Sequence, residues 1–536
     1  MSSKIGETPV LVVGGGIVGS LVALELAHHG VSAVVVERTT SLSASSKVQF
    51  ISGRSMELLR RLGLASSIRL RGVDATRSTD FMFTQGFDRE PVLVWQQPSV
   101  ENMRRRFAAV NDGTAPAEEY ERVRGALLED VVREAAAAHP LVDMRRGWTF
   151  SDVRLDRESA TATVVEAATR TRHRIRARFV VGCDGARSAV RLCLGIPMED
   201  RGGGRPYCSV DFTTPAALLP EHGRAYVTAP PGLALVRRND ADQWSSTMPV
   251  HADQHFGSNP VALLRQWMGA DFKVDAVHGV AQWTDSLAVA ATYRRGPVFL
   301  AGDAAHQFYP GCGFGTGTGI ADAVDLGWKL AASIRGWGGP TLLASYEAER
   351  RPAALFNREM CARLLDTWRR FESLSAAGIA AEQLSGLLEQ DVDLIDNLGV
   401  HFGYRYGGSA VICHEAGSGP PWHWRKISPT TWPGARAPAV RLADGTQLFD
   451  QLGAGFTLVD QTAGHFGRHL AQTARARGYP VTHLAVRDPA VRTSWERDLV
   501  LVRPDHHVVW RGDAPPHDWA AVLDRVAGRA GDHANA

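Results

Sequence analysis

The stretch "PVLVVGGGIVGSLVALELAHHGVSAVVVER", residues 9–38, decides the fold. Pro9 to Val13 form a short branched apolar run, the pattern of a strand covered on both faces. The run leads straight into Gly14, Gly16 and Gly19, the G-x-G-x-x-G spacing. Behind these glycines the apolar residues recur on a helical period that stops at Gly30, and "SAVVVER" reads as a second buried strand ending in Glu37. Strand, glycine turn, helix, strand and terminal acid together form the dinucleotide-binding βαβ fingerprint. One glycine makes the tight turn, the next lets a pyrophosphate approach the backbone, and the third lets helix and strand pack closely. The helix N-terminus faces the phosphate charge. Glu37 is placed to accept hydrogen bonds from an adenosine ribose, and an acid there disfavours a 2′-phosphate, so the predicted ligand is FAD or NAD rather than NADP.

The rest of the composition narrows the class. A chain of 536 residues, 44% hydrophobic and 22% charged, buries a large core and by length suggests roughly three domains. Lys+Arg 59 against Asp+Glu 57 leaves a net charge of +2, no footprint for nucleic acid or an anionic membrane. Arg-rich pieces such as "MRRRF" read as solvated helix faces. The cysteines (Cys183, Cys193, Cys208, Cys312, Cys361, Cys413) are scattered, with no CxxC and no metal-type spacing. This predicts free thiols, a reducing cytoplasmic setting, no disulfide framework and no metal site. The N-terminal segment lacks signal-peptide features and carries too many glycines for a spanning helix, so the chain reads as unanchored.

Two later stretches extend the fingerprint. "FVVGCDGARSAVR", Phe179 to Arg191, is an apolar strand running into an Asp-Gly turn. "GPVFLAGDAAH", Gly296 to His306, is another strand ending in Gly-Asp, followed by the glycine-rich "GCGFGTGTG" and a patterned helix expected from about Gly317. So much bare backbone between two regular elements implies a ligand that comes close to it.

The three motifs, in this order over roughly the first 400 residues, resemble those of the class A flavoprotein aromatic hydroxylases. The resemblance is nearest to the phenol-hydroxylase-like subgroup of aromatic catabolism and antibiotic tailoring, which includes the rebeccamycin-pathway flavoenzyme. "GRSMELLRRLGL", "DLGWKLAA", "YEAERRPAA" and "LVRPDHHVVWRGD" carry it further. It implies an α/β fold: a Rossmann-like FAD-binding domain of the GR2, p-hydroxybenzoate-hydroxylase type, an inserted β-sheet substrate domain, and a C-terminal thioredoxin-like domain. The expected division is 1–75, 105–200 and 290–398 for the FAD domain, 76–104 and 201–289 for the substrate domain, 399–435 for a linker, and 436–536 for the thioredoxin-like domain. Lacking CxxC, this last domain cannot perform dithiol exchange.

The resemblance also implies a site. Non-covalent FAD would be held by Gly14, Gly16, Val18, Gly19, Glu37, Arg38, Lys47, Arg124, Asp184, Asp303, Pro310, Gly313, Gly315, Thr316 and Gly317. Asp303 would meet the ribityl chain, and the 310–318 loop would lie on the isoalloxazine ring. Three positions depart from the usual pattern: Lys47 stands where Arg is common, Arg124 where Gln is common, and Thr316-Gly317 where Met-Asn is common. Trp244, Met248 and Trp283, with the Phe81–Phe87 segment, are candidates for the substrate pocket, though each reads equally well as a core residue. The implied reaction is NAD(P)H- and O₂-dependent hydroxylation of a phenolic or polycyclic aromatic substrate through a C4a-hydroperoxyflavin, with NADPH the donor the family favours over NADH. The alternative is an FAD protein that oxidises or protects a reactive intermediate, Baeyer–Villiger oxygenation included. The flavin carries the chemistry and no side chain is compelled to be a catalytic base; His306 reads as a packing residue. The expected state is monomer or homodimer.

Overall fold

The computed structural model describes residues 5–41, 49–202, 204–219, 225–238, 242–250, 259–391, 397–462 and 466–529. Its central sheet has eight strands among these residues, with Val142–Arg146, Ala33–Glu37, Ile5–Val13, Arg172–Gly182 and Val298–Leu300 side by side and parallel. Where the sheet is covered its strands are apolar runs: Val10–Val13, Ala33–Val36, Phe179–Val181 and Val298–Leu300 are all buried. The first strand starts at Ile5, four residues before the apolar run. Its outer part pairs with Arg172–Gly182, which also carries the antiparallel pair Ala160–Glu166 and Trp148–Leu155.

One row across this sheet organises the protein. Val36 pairs with Val13, Val13 with Gly182, and Gly182 with Leu300. Glu37, the glycine turn, the Asp-Gly turn and the Gly-Asp turn each begin at or just after a member of this row. Three motifs spread over some three hundred positions therefore emerge together at the carboxyl edge of a parallel sheet, where open α/β folds bind ligands.

A second sheet of seven strands runs in the order Ala276–Thr284, Pro206–Thr213, Gln243–Pro249, Ala234–Arg237, Val227–Ala229, Phe81–Thr84, Pro91–Trp95. One face packs on the Pro260–Met268 helix, which starts at a side-chain cap from Asn259 with Pro260 in its first turn. That side is a closed apolar core of Cys208, Val210, Phe212, Leu235, Trp244 and Met248 with Leu263 and Leu264. The other face looks towards the central sheet's carboxyl edge.

The C-terminal part forms a four-stranded sheet, Val481–Ala485, Phe456–Asp460, Leu499–Val502 and Val508–Gly512, flanked by helices Gly467–Ala476 and Trp519–Val526. One expectation changes. The helix after the glycine-rich stretch starts at Phe314, not about Gly317, because Gly313 at φ 70° makes the left-handed turn into it. Gly315, Thr316 and Gly317 thus lie in the helix's first turn. The 399–435 stretch has no helix or strand after Phe402, yet parts of it pack on its neighbours: Thr430 and Thr431 are buried, Trp422 meets Phe356, and Trp424 meets Trp422. Among the described residues no helix is long and apolar enough to cross a membrane, and no His/Cys/Asp/Glu cluster could hold a metal ion.

Candidate active site

Two helices aim bare N-termini at the motif edge. Ile17–His28 starts at Gly16 and Phe314–Ile334 at Gly313, and neither has a side-chain cap or an acid in its first turn. Helices Gly53–Arg61 and Val100–Ala108, by contrast, begin at serines whose hydroxyls accept from the backbone: Ser52 from Ser55 N, and Ser99 from Asn102 N. Uncapped N–H groups carry partial positive charge and need an acceptor. The pyrophosphate and the electron-rich edge of the expected flavin would supply one.

The glycines show where a ligand fits. A Cβ on Gly14, at φ 100°, would run into the Cys183 carbonyl, and one on Gly19 into the Gly14 carbonyl, so these two serve close backbone packing. A Cβ on Gly16 or Gly315 would meet nothing within 4 Å. Protein packing does not require glycine at either place, and each leaves a cradle that a Cβ would fill. Val18 packs its methyl groups against Gly302 and Gly319, where an added Cβ would approach to 2.9 and 2.7 Å. Its side chain therefore braces the Gly-Asp turn, leaving only its backbone to face a ligand.

Glu37 folds over the glycine turn: Gly15 N donates to its Oε2 at 2.7 Å, and Thr39 N and Oγ1 donate to its Oε1 at 2.8 and 2.7 Å. Burial pushes its pKa up, but these hydrogen bonds outweigh it and keep the carboxyl below its ordinary range. It stays an anionic acceptor at the rim. Arg38 beside it is exposed. Asp184 serves its own turn, accepting from Ser188 Oγ at 2.5 Å and Val190 N at 3.1 Å. Lys47 lies outside the described residues. Arg124 stands at the start of the Gly125–Ala138 helix and donates to Gln243 Oε1 at 3.1 Å, tying that helix to the second sheet.

Between the sheets lies a cavity of about 1000 Å³. Asp303, Pro310, Gly313, Gly315 and Thr316 form one end. The open face of the second sheet supplies Ser209, Asp211, Ser245, Thr247, Ala281 and Trp283. Trp283 Nε1 donates to Ser209 Oγ at 2.9 Å, and Ser209 and Thr247 share a hydroxyl hydrogen bond at 3.1 Å. Tyr226, Phe81 and Tyr120 close the side, with the Arg122 guanidinium 4.1 Å over the Tyr226 ring. Gly317, in the same first turn, faces Ser52 and Ser55 instead.

Trp244 and Met248 are corrected: both are fully buried on the opposite face of the sheet, in the core under the Pro260–Met268 helix. Trp244 Nε1 donates to Thr214 O at 3.2 Å. Successive strand residues alternate faces, so the same strand turns Ser245 and Thr247 to the cavity. The period-two pattern W-S-S-T-M held that signal. The wall from the 399–435 stretch and its flank, Leu398, His401, Phe402 and Arg425, carried no sequence signal. His306 is fully buried, 2.7 Å from Asp322 Oδ2 and stacked on Phe308, away from the cavity.

Comparison with known proteins accords with this geometry. Residues 7–357 match the FAD binding domain family model, and residues 430–530 match that of the aromatic-ring hydroxylase C-terminal domain. The chain belongs to the FAD-dependent aromatic-ring hydroxylases. It is 32% identical to the FAD-dependent monooxygenase apdD of Emericella nidulans, over 96% of this chain and 89% of that protein. It is 31% identical to the tetracenomycin B2 monooxygenase-dioxygenase of Streptomyces olivaceus, over 98% of each. The solved structure of RebC with bound 7-carboxy-K252c superposes with a TM-score of 0.88 at 30% identity, covering 98% of this chain and all of RebC. The protein is thus an FAD-dependent monooxygenase of the aromatic hydroxylase type. The uncapped helices, the cradles at Gly16 and Gly315, and the anionic Glu37 fit FAD, which supplies electron transfer and oxygen activation when bound.

Proposed function

We propose that this monooxygenase hydroxylates a polycyclic, phenol-bearing aromatic substrate of secondary metabolism, with NAD(P)H as transient donor. The cavity carries the reading. Ligand sites usually run to about 300–1000 Å³; the space of about 1000 Å³ would be shared between the flavin at the glycine cradle and the substrate, whose part extends along the open sheet face as an extended fused-ring molecule requires. Trp283 and Phe81 offer flat apolar surface for such rings, while Ser209, Ser245 and Thr247 offer hydroxyls to their oxygens. The relative named for tetracenomycin B2 and RebC with its bound 7-carboxy-K252c support the same substrate class.

Within this reading the chain's own residues bind, orient and exclude water. Glu37 and the two helix N-termini hold the cofactor, the glycine cradle lets ring and backbone approach, and the sheet face sets which substrate carbon lies nearest. The partition into flavin, substrate and C-terminal units and the FAD-site set named from sequence, Lys47 and Arg124 included, belong to the same proposal. The free thiols Cys183, Cys193, Cys208, Cys361 and Cys413 support a reducing, cytoplasmic setting. The test is a panel of single-ring and fused-ring phenols, scored for stimulated NADPH oxidation and for incorporation of one atom of ¹⁸O₂. Fused-ring phenols should stimulate both. NADPH oxidation with no oxygen in any product would overturn the hydroxylase reading in favour of an oxidase or protective role.

A further inference from the structure

The turn Arg503-Pro504-Asp505-His506, between the last two strands of the C-terminal sheet, is buried in the FAD-binding unit rather than exposed as a hairpin tip. Arg503 forks onto two carboxylates of that unit: Nη1 donates to Glu349 Oε1 at 2.9 Å, and Nη2 lies 2.7 Å from Asp325 Oδ1 and 2.7 Å from Glu349 Oε2. Lys329 completes the cluster, 2.8 Å from Asp325 and 2.6 Å from Glu349. Asp325 and Lys329 belong to the Phe314–Ile334 helix, whose first turn forms the cavity's glycine end.

The other side of the turn grips a second helix. Arg54 Nη2 donates to Asp505 O at 2.5 Å, and Arg54 Nη1 is 3.3 Å from His506 Nδ1. Arg54 lies in the Gly53–Arg61 helix, and Ser52 and Gly53 at its start line the cavity. Arg436 of the C-terminal part donates to Glu57 of this helix at 2.8 Å. His506 sits at φ 67°, a left-handed conformation uncommon for side chains other than glycine, and is stacked on Phe449 at 4.2 Å. A strained turn carrying fully buried charges is a costly way to join two units if bulk packing were the only requirement.

We propose that the Arg503–His506 turn is a positioning element for the flavin site, locking the two helices whose first turns frame the cavity. FAD affinity and flavin potential then depend on a part of the chain that does not reach the cavity. The buried charges explain why the lock is specific. Apolar packing tolerates small slides, whereas a guanidinium fork between two carboxylates has one geometry. The inference rests on the FAD assignment and is independent of the substrate.

The experiment compares wild type, Arg503→Lys, Arg54→Lys and, as a control, Val491→Ala. Val491 is fully buried in the C-terminal core on a different element. Measured are the thermal midpoint of each apoprotein, FAD affinity by titration, and the midpoint potential and visible spectrum of bound flavin. Both Lys variants keep the charge and lose the fork. They should weaken FAD binding by about 10-fold and shift potential and spectrum. Val491→Ala should lower the thermal midpoint while leaving affinity and potential at wild-type values. The proposal is overturned if both Lys variants match wild type in affinity and potential, or if Val491→Ala weakens FAD binding as much as they do. Should Arg503→Lys not fold, Arg54→Lys decides alone. A wild-type protein that takes up no FAD would instead refute the FAD assignment.

Discussion

Gly315→Ala separates a glycine kept for the fold from one kept for a ligand, because the two roles predict opposite signs. Gly315 is the second residue of the Phe314–Ile334 helix, and a Cβ there would meet nothing within 4 Å. For the apoprotein, alanine removes backbone freedom from the unfolded chain and gains helix propensity, stabilising by up to about 1 kcal/mol. In a chain of this size that raises the thermal midpoint by up to about 1 °C. For the complex, the methyl group enters the cradle at the cavity's glycine end. Forcing one carbon into a close-packed contact costs about 1–3 kcal/mol, which weakens FAD about 5- to 150-fold. Differential scanning fluorimetry of the apoprotein and titration of FAD by flavin fluorescence read the two effects separately. A variant that is more stable and binds FAD as tightly as wild type would mean that no cofactor approaches Gly315. A less stable apoprotein would mean that the fold needs the glycine after all.

Three further outcomes follow. Glu37→Gln should weaken FAD by replacing charge-assisted hydrogen bonds with neutral ones about half as strong, and Glu37→Arg should weaken it further; both should keep the circular dichroism of wild type, and equal FAD titrations would displace the adenosine site. Trp244→Ala should cost about 3–5 kcal/mol of stability by chemical denaturation while FAD affinity is retained, since the ring lies in the core behind the sheet; a small stability change would place it elsewhere. Stability should also fall in mild acid through His507, which is 1% exposed and whose pKa burial pushes down to about 4 despite Asp505 beside it. A depressed folded pKa means the unfolded chain takes the proton first, so the contribution is complete above about pH 6.5 and lost as pH falls through 4, about 3 kcal/mol in all. His507→Phe should flatten that part of a thermal-midpoint-against-pH curve, and an unchanged slope would remove His507 as its source.

The cofactor end of the site was legible because backbone geometry leaves few choices there. Gly14 at φ 100° and Gly19 against the Gly14 carbonyl admit only glycine, and the apolar runs before each motif can only be strands covered on both sides. The substrate end was less legible. Size drew attention to Trp244 and Met248, whereas the face a residue occupies is set by period two, which hands the cavity to Ser245 and Thr247. The helix start at Phe314 was missed because a glycine-rich stretch reads as a loop, though Gly313 alone makes the turn. The wall contributed by Leu398, His401 and Phe402 had no local signal, and the "LVRPDHHVVWRGD" stretch that contains Arg503 marks a resemblance without naming a partner. Arg503 finds Asp325 across 178 positions, and such a partnership exists only in the folded chain.

His306 shows how these two levels join. It follows the Gly-Asp motif directly and by position invites a role in proton transfer, yet its Nε2 lies 2.7 Å from Asp322 Oδ2, which also accepts from Gly302 N at 3.2 Å. Asp322 Oδ1 accepts from Arg350 Nε at 2.9 Å. Burial raises the pKa of this carboxyl, but His306 and Arg350 outweigh it and hold it below the ordinary range. A buried anion so enclosed ties the Gly302–Asp303 turn to the Phe314–Ile334 helix, and it fixes the direction in which Asp303 enters the cavity. His306 is spent on that task. Two cavity side chains are likewise held in their uncharged forms at neutral pH: burial pushes Tyr120 up to about 12 and His401 down to about 4. The charged groups that do line the cavity are of both signs, Asp80, Glu118, Asp211 and Asp303 against Arg106 and Arg425, so the local field around a substrate oxygen depends on which end of the cavity it occupies.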